Sequence, residues 1–283
     1  EEVLTVESEQ FPLTLKTVLR HHDADLWSRS TKKAPGRACI RIMLPAPEIS
    51  EPEKFRSITI LPASRPEFYD FDLFNQPGQD PELDECLLRE LAYTVFDTET
   101  TGLNPAEGDE IISIGAVRIV NGRLLRDEYF DQLINPRRSL SYESIKVHGI
   151  QSEMLEQQPT IDQVLPRFHR FAEGTILVAH NAAFDMKMLQ LKEAETGVRF
   201  INPVLDTLLL SAAIHPAHAS HNLEDIADRM GISIVGRHTA LGDAIATAEV
   251  FLKLISILAK NGIHTLRQAR EASRKTYYAR KKY

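Results

Sequence analysis

Beyond Ala92 the chain alternates short apolar runs with turn signals, and the spacing of its hydrophobic positions predicts a succession of elements. AYTVFD is an apolar strand ending in an acid, and IISIGAVRIV (111 to 120) is a second strand closed by Asn121-Gly122. Asn-Gly between apolar runs is the strongest short-range hairpin signal, which makes EYFDQLINP the return strand. Helical spacing takes over around 161 to 172, followed by a buried strand, TILVAH (175 to 180), and a helix from about Ala182 to Glu195. PVLDTLLLS (203 to 211) reads as a strand running into a helix, and HNLEDIADRM holds another helix. A long helix follows from about Ala240 to Leu258, apolar at Ala244, Ala248, Phe251, Leu252, Ile255 and Leu258. Strands first in antiparallel hairpins, then alternating with helices, predict an α/β fold with a mixed sheet and helices on both faces.

The flanks read differently. Residues 12 to 46 give a helix, a strand around Asp25 to Ser28 and a second around Arg37 to Leu44, a small α+β appendage within 1 to 65. Residues 66 to 90 hold eight acids and one Arg, with Pro77-Gly78 as a turn signal, so 66 to 91 is expected to be an acidic linker or wrapping segment. The end, 261 to 283, looks helical and basic: from Arg267 to Tyr283 there are seven Arg or Lys against Glu271, interleaved with Tyr277, Tyr278 and Tyr283. Such a tail can lie on a phosphate backbone, pack onto the N-terminal part, or stay a solvated end.

Composition narrows the class. At 283 residues and 43% apolar content the chain can bury a full core, and its net charge of −7 argues against coating nucleic acid by charge alone. No apolar run is long enough to span a bilayer, so no membrane contact is expected of the chain itself. It begins Glu1-Glu2-Val3 without an initiator Met, which suggests a piece of something longer, and a membrane-anchored parent stays open. Cys39 and Cys86 have neither Cys-x-x-Cys nor zinc-finger spacing, which fits a reducing cytoplasm.

Three segments carry candidate chemistry. VFDTETTGLNP (95 to 105) sets Asp97 and Glu99 two apart on a strand, which puts both carboxylates on one face. Two like charges so close are costly without a cation between them, and Mg²⁺ prefers oxygen ligands of this kind. Thr100-Thr101-Gly102 beyond them is small enough to let a substrate backbone approach. In VAHNAAFDMKML (178 to 189), Asp185 falls in the first turn of a helix, where a carboxylate is also a good partner of the helix dipole. In GRHTALGDAIATAEV (236 to 250), His238 and Asp243 lie five apart at the start of the long helix. Asp243 stands among Ala244, Ile245 and Ala246, where a buried carboxylate needs a partner or a metal. Each feature alone has an ordinary structural explanation; their conjunction points to a metal-dependent nuclease.

With these motifs the sequence resembles the DEDDh subclass of DnaQ-like 3′→5′ exonucleases, which includes the epsilon proofreading subunit of bacterial DNA polymerase III. The resemblance runs from about Ala92 to Ala259 and takes in INPRRSLSYESIKVHGI (134 to 150), VLDTLLLS and HNLEDIADRMGI; His238 five before Asp243 marks the histidine subclass. It implies a ribonuclease H-like fold over 92 to 260, a five-stranded mixed sheet with its first three strands antiparallel. It implies two Mg²⁺ or Mn²⁺ ions per site, with Asp97 bridging both, Glu99 and Asp243 completing the first and Asp185 holding the second. Such a pair of cations activates the attacking water and stabilises the leaving 3′ oxygen, and His238 takes the proton from that water. Thr100, Gly102, Leu103, Glu143, His148 and Asn181 match substrate-binding positions: Gly102 and Leu103 against the 3′ base, Glu143 and His148 on the terminal nucleotide.

The implied activity is removal of nucleoside 5′-monophosphates from the 3′ end of DNA in proofreading or repair. RNA 3′-end trimming uses the same metal site and stays an alternative. A noncatalytic 3′-end-binding module would show the loss of one of the five key residues, and none is missing. The family's epsilon subunits dock on a polymerase through a C-terminal segment, so a polymerase or regulatory partner is sought in the flanks. Residues 12 to 46 also show a weak similarity to the last helix and hairpin of histidine-kinase-type ATPase domains. His22-Asp23-Ala24 replaces the His-Gly-Gly turn of that family and no nucleotide-binding boxes are present, so no ATP binding is expected.

Overall fold

The computed structural model describes Asp25–Ser30, Ala38–Met43 and residues 81–276 apart from Val235 and Arg237. The chain divides into two compact units, Glu1–Ser57 and Ile58–Tyr283. In the first, β1 (Asp25–Ser30) and β2 (Ala38–Met43) pair antiparallel, from Asp25 opposite Met43 to Ser30 opposite Ala38. The helix expected ahead of this hairpin, and the tail tyrosines, lie outside the described residues.

The second unit is built on a sheet of order β5-β4-β3-β6-β7, comprising β3 (Ala92–Thr100), β4 (Ile111–Val120), β5 (Arg123–Leu133), β6 (Ile176–Ala179) and β7 (Val204–Asp206). The first three strands are antiparallel, while β6 and β7 run parallel to β3, the mixed sheet expected. The helices are α1 (Pro81–Asp84), α2 (Tyr142–His148), α3 (Ser152–Leu155), α4 (Ile161–Ala172), α5 (Ala182–Leu191), α6 (Glu193–Thr196), α7 (Thr207–Ile214), α8 (Leu223–Arg229), α9 (Ala240–Lys260) and α10 (Leu266–Arg274). Among the described residues no helix is long and apolar enough to cross a membrane.

Because β3 is central, both of its faces are buried and its alternation sorts the core. Tyr93 and Val95 join Phe251 and Leu254 of α9, with the Tyr93 and Phe251 ring centroids 4.8 Å apart and edge-on. Phe96 points the other way, to Phe168 of α4 and Phe184 of α5.

Three elements depart from the expected pattern. The return strand starts at Arg123 rather than near Glu128, directly after the Asn121-Gly122 turn, in which both residues have positive φ. The helix from Ala182 breaks at Lys192 into α5 and α6. Residues 142–148, for which the apolar pattern predicts no element, form α2, capped by the Ser141 side chain on Ser144 N–H.

Candidate active site

On β3, Asp97 and Glu99 continue the stripe of Tyr93 and Val95, so they lie on the face that α9 covers. Asp243, in the first turn of α9, comes down on them. One carboxylate oxygen from each of the three lies within 4.8 Å of the others, and the residues are 7%, 4% and 7% exposed in the order Asp97, Glu99, Asp243. The approach depends on Gly115, which pairs with Asp97 across the β3–β4 ladder. A Cβ on Gly115 would stand 2.1 Å from the Leu241 nitrogen and 2.2 Å from the Ala240 carbonyl carbon, so the start of α9 rests directly on strand backbone. Three carboxylates gathered out of water repel one another unless a cation is shared. An all-oxygen set of hard ligands suits Mg²⁺ or Mn²⁺, and these residues fit such an ion.

Asp185 approaches from the opposite face of β3 and is not one of the converging three. It is fully buried in the first turn of α5. Strand β6 pairs with β3 only as far as Val95, and beyond that point Asp185 takes over part of the edge. Its Oδ1 accepts from the Thr98 N–H at 3.0 Å and the Thr98 hydroxyl at 2.6 Å. The turn into α5 passes through Asn181, left-handed at φ 61°. It is held by Asp206 at the end of β7: Asp206 Oδ1 accepts from Asn181 N–H (3.1 Å) and Leu208 N–H (2.9 Å), and Oδ2 from Ala182 N–H (3.0 Å).

Burial pushes the Asp206 carboxyl up to about 6, against the pull of those N–H donors. The native value lies above the ~3.9 of an unfolded aspartate, so between the two the native state binds the proton more tightly and stability falls as pH rises. The stability of the wild type relative to Asp206→Asn is therefore expected to decline by roughly 2–3 kcal/mol between about pH 4 and pH 6 and to level off above. Urea midpoints followed across that range test this; a flat difference would contradict it.

His238 precedes the α9 cap and is half-buried, with a left-handed backbone at φ 63°. Its loop is cinched onto the helix: the Thr239 hydroxyl accepts from Gly242 N–H (3.1 Å) and donates to the Gly236 carbonyl (2.7 Å). At the end of β3 the Thr100 hydroxyl donates to the Gly102 carbonyl (2.6 Å). Gly102 packs on Asp109, whose carboxylate a Cβ would meet at 2.3 Å. Asp109 accepts from the Thr101 hydroxyl and the Asn104 N–H, both at 2.9 Å, and faces Arg138 at 3.6 Å. Leu103 on this loop is 40% exposed. Glu143 is exposed near the start of α2, and His148 is buried at its end, its Nδ1 accepting from Ile150 N–H (3.0 Å). The chain leaves β5 at Leu133, level with Glu99 through Ser113, so α2 follows from the same end of the sheet as the carboxylates.

The family model for exonucleases of the RNase T type matches residues 94–251. The chain belongs to this exonuclease family. A DNA polymerase III subunit epsilon-like protein of Rhodobacter capsulatus is 45% identical over 263 residues, 90% of this chain and 36% of its own length. PolC-type DNA polymerase III of Thermotoga maritima is 40% identical over 184 residues, 65% of this chain and 13% of its own. The chain thus spans about a third of the first relative and about an eighth of the second. Among solved structures, exonuclease X in complex with 5′ overhanging duplex DNA has a TM-score of 0.52 at 23% identity, over 64% of this chain and 99% of that one. The nuclease domain of 3′hExo, a DEDDh family member bound to rAMP, has a TM-score of 0.54 at 18% identity, over 64% and 97%. These two share the fold, and the DnaQ-like, ribonuclease H-like expectation holds.

Within the family fold, sequence reasoning passed over Thr98, Asp206 and Gly115. A lone glycine inside the apolar run IISIGAVRIV signals close backbone approach and would have found Gly115; Thr98 and Asp206 carry no such mark. The basic tail has partners in its described part. Arg270 lies 2.8 Å from Asp84, Arg267 pairs with Glu85, and Leu88 N–H donates to the His264 carbonyl (2.9 Å), so α10 is joined to the acidic segment ahead of β3.

Proposed function

We propose that this chain is a divalent-metal-dependent 3′→5′ exonuclease that releases nucleoside 5′-monophosphates from single-stranded or frayed 3′ ends of DNA. The convergence of Asp97, Glu99 and Asp243 carries this reading. The DNA polymerase III names of relatives 40–45% identical favour DNA over RNA. Two Mg²⁺ or Mn²⁺ ions, when bound, supply an acidified water and neutralise charge at the departing 3′ oxygen. Asp97, Glu99 and Asp243 would hold the first ion, and Asp185, with Asp97, would hold the second. His238 removes the proton from the attacking water, a task that the unprotonated ring nitrogen of a neutral imidazole can perform. Gly102 and Leu103 receive the face of the 3′ base, Glu143 and His148 contact the terminal nucleotide, and Thr100 and Asn181 complete the substrate-binding set. Contacts to phosphate, sugar and base face read little sequence.

A match over 90% of the chain takes in much of the segment ahead of Ala92, whereas the PolC match covers 65%. That difference marks the N-terminal flank as shared with an epsilon-like relative, and a polymerase or regulatory contact is assigned to the flanking segments. The test of function uses 5′-labelled single-stranded DNA and RNA of one sequence with Mg²⁺, Mn²⁺ or a chelator. Expected are a ladder shortening from the 3′ end, free 5′-monophosphates, faster loss of DNA and no product with chelator. Internal cuts, or undiminished cleavage in chelator, would reject the reading, and faster loss of RNA would reject the DNA assignment.

A further inference from the structure

Asp185 is braced at two levels. At the carboxylate, Thr98 offers both its N–H and its hydroxyl to Oδ1, at 3.0 and 2.6 Å. Two donors on one oxygen oppose rotation about χ2, so the direction of the second oxygen is set as well. Thr98 lies between Asp97 and Glu99, so the brace ties the Asp185 carboxylate to the same three residues of β3 that carry the converging pair. At the backbone, Asp206 grips Asn181 and Ala182, about one helical turn before Asp185. The same carboxylate caps α7 through Leu208 N–H, so one buried anion fixes the starts of two helices. The His180 Nδ1 and Thr207 hydroxyl, 2.9 Å apart, add a second link between the two turns.

We infer that Thr98 and Asp206 are positioning residues that set the affinity of the second cation, the one assigned to Asp185, and leave the first cation untouched. This rests on the two-cation reading above. The first ion's carboxylates come from the other face of β3 and from α9, whereas the bonds of Thr98 and Asp206 described above go to α5, the turn into it and the start of α7. The second ion's affinity depends on a side chain reaching across from α5, and the entropy of ordering that side chain is met in advance by the brace.

Thr98→Val is the cleaner variant, since valine keeps the shape and strand preference of threonine and removes only the hydroxyl. Asp206→Asn keeps one acceptor oxygen but turns an amide donor toward the Ala182 N–H. Full-length protein stripped with chelator is titrated with Mn²⁺ alone, by calorimetry and by electron paramagnetic resonance of the free ion. The wild type should show two classes of site. In Thr98→Val the weaker class should lose about 3–10-fold in affinity, and in Asp206→Asn about 10–100-fold, with the tighter class unchanged in both. Excess Mn²⁺ should restore DNA hydrolysis by Thr98→Val.

Wild-type affinities at both classes in both variants would overturn the inference. So would equal weakening of both classes, which marks general loosening of the fold. A wild type that binds a single Mn²⁺ would instead defeat the two-cation reading itself, and the inference with it.

Discussion

Asp97→Ala is expected to lower 3′→5′ hydrolysis of single-stranded DNA by more than about 10³-fold, a loss of about 4 kcal/mol in transition-state stabilisation. On the proposed two-ion reading Asp97 would serve both ions, so its removal would take a ligand from each, whereas loss of Glu99 or Asp243 would take a ligand from one. The same substitution should have the opposite sign on the stability of the metal-free protein. Asp97, Glu99 and Asp243 bring three carboxylate oxygens within 4.8 Å at 7% exposure or less, and deleting one relieves that repulsion. Melting curves in chelator should therefore place the variant above the wild type. Added Mn²⁺ should raise the melting temperature of the wild type and shift the variant far less, since a ligand stabilises only the state that binds it. Turnover above a tenth of the wild-type rate would remove Asp97 from the reaction.

Gly115→Ala should be nearly as damaging, although Gly115 presents no functional group. The added methyl would sit 2.1 Å from the Leu241 nitrogen, and backbone rather than a flexible side chain must yield. Overpacking of this kind costs about 1–3 kcal/mol. The element that yields is the start of α9, and Asp243 moves with it, away from the strand that carries Asp97 and Glu99. A misplacement of ~1 Å at a reacting centre costs on the order of 10²-fold in rate. The expected result is a moderate fall in melting temperature with a disproportionate fall in kcat and a weakened response to Mn²⁺. A variant that loses stability but keeps kcat would show that the helix can shift without disturbing the carboxylates.

How much of this was legible beforehand followed from burial. Strand β4 and helix α4 have the boundaries that their apolar patterns predict, 111–120 and 161–172, because β4 is buried on both faces and reads as one apolar run closed by a turn, while α4 buries Ile161, Val164, Leu165, Phe168 and Ala172 at helical spacing. The edge strand β5 hid its first half: Arg123 to Glu128 are exposed or half-exposed, Leu124 and Leu125 stand side by side rather than alternating, and the pairing with β4 shifts register beyond Leu125, so no period of two marked the start. Helix α2 buries only Ser144 and His148, and a seven-residue helix without an apolar stripe leaves no period to read. Asp97 and Glu99 were legible because strand periodicity alone assigns them one face, and Asp243 because an acid amid Ala and Ile demands an explanation. The Thr98 to Asp185 contact joins residues 87 apart in sequence and had no local signature. Asp206 read simply as the end of a strand, since a carboxylate that caps two helices looks in sequence like one that caps a single helix.

A crystal of the protein equilibrated with Mn²⁺ and measured at a wavelength where manganese scatters anomalously tests the metal site most directly. A peak bounded by the carboxylates of Asp97, Glu99 and Asp243, with a second toward Asp185, is the predicted result. Manganese bound elsewhere in the same crystal, with no peak among those three carboxylates, would contradict it.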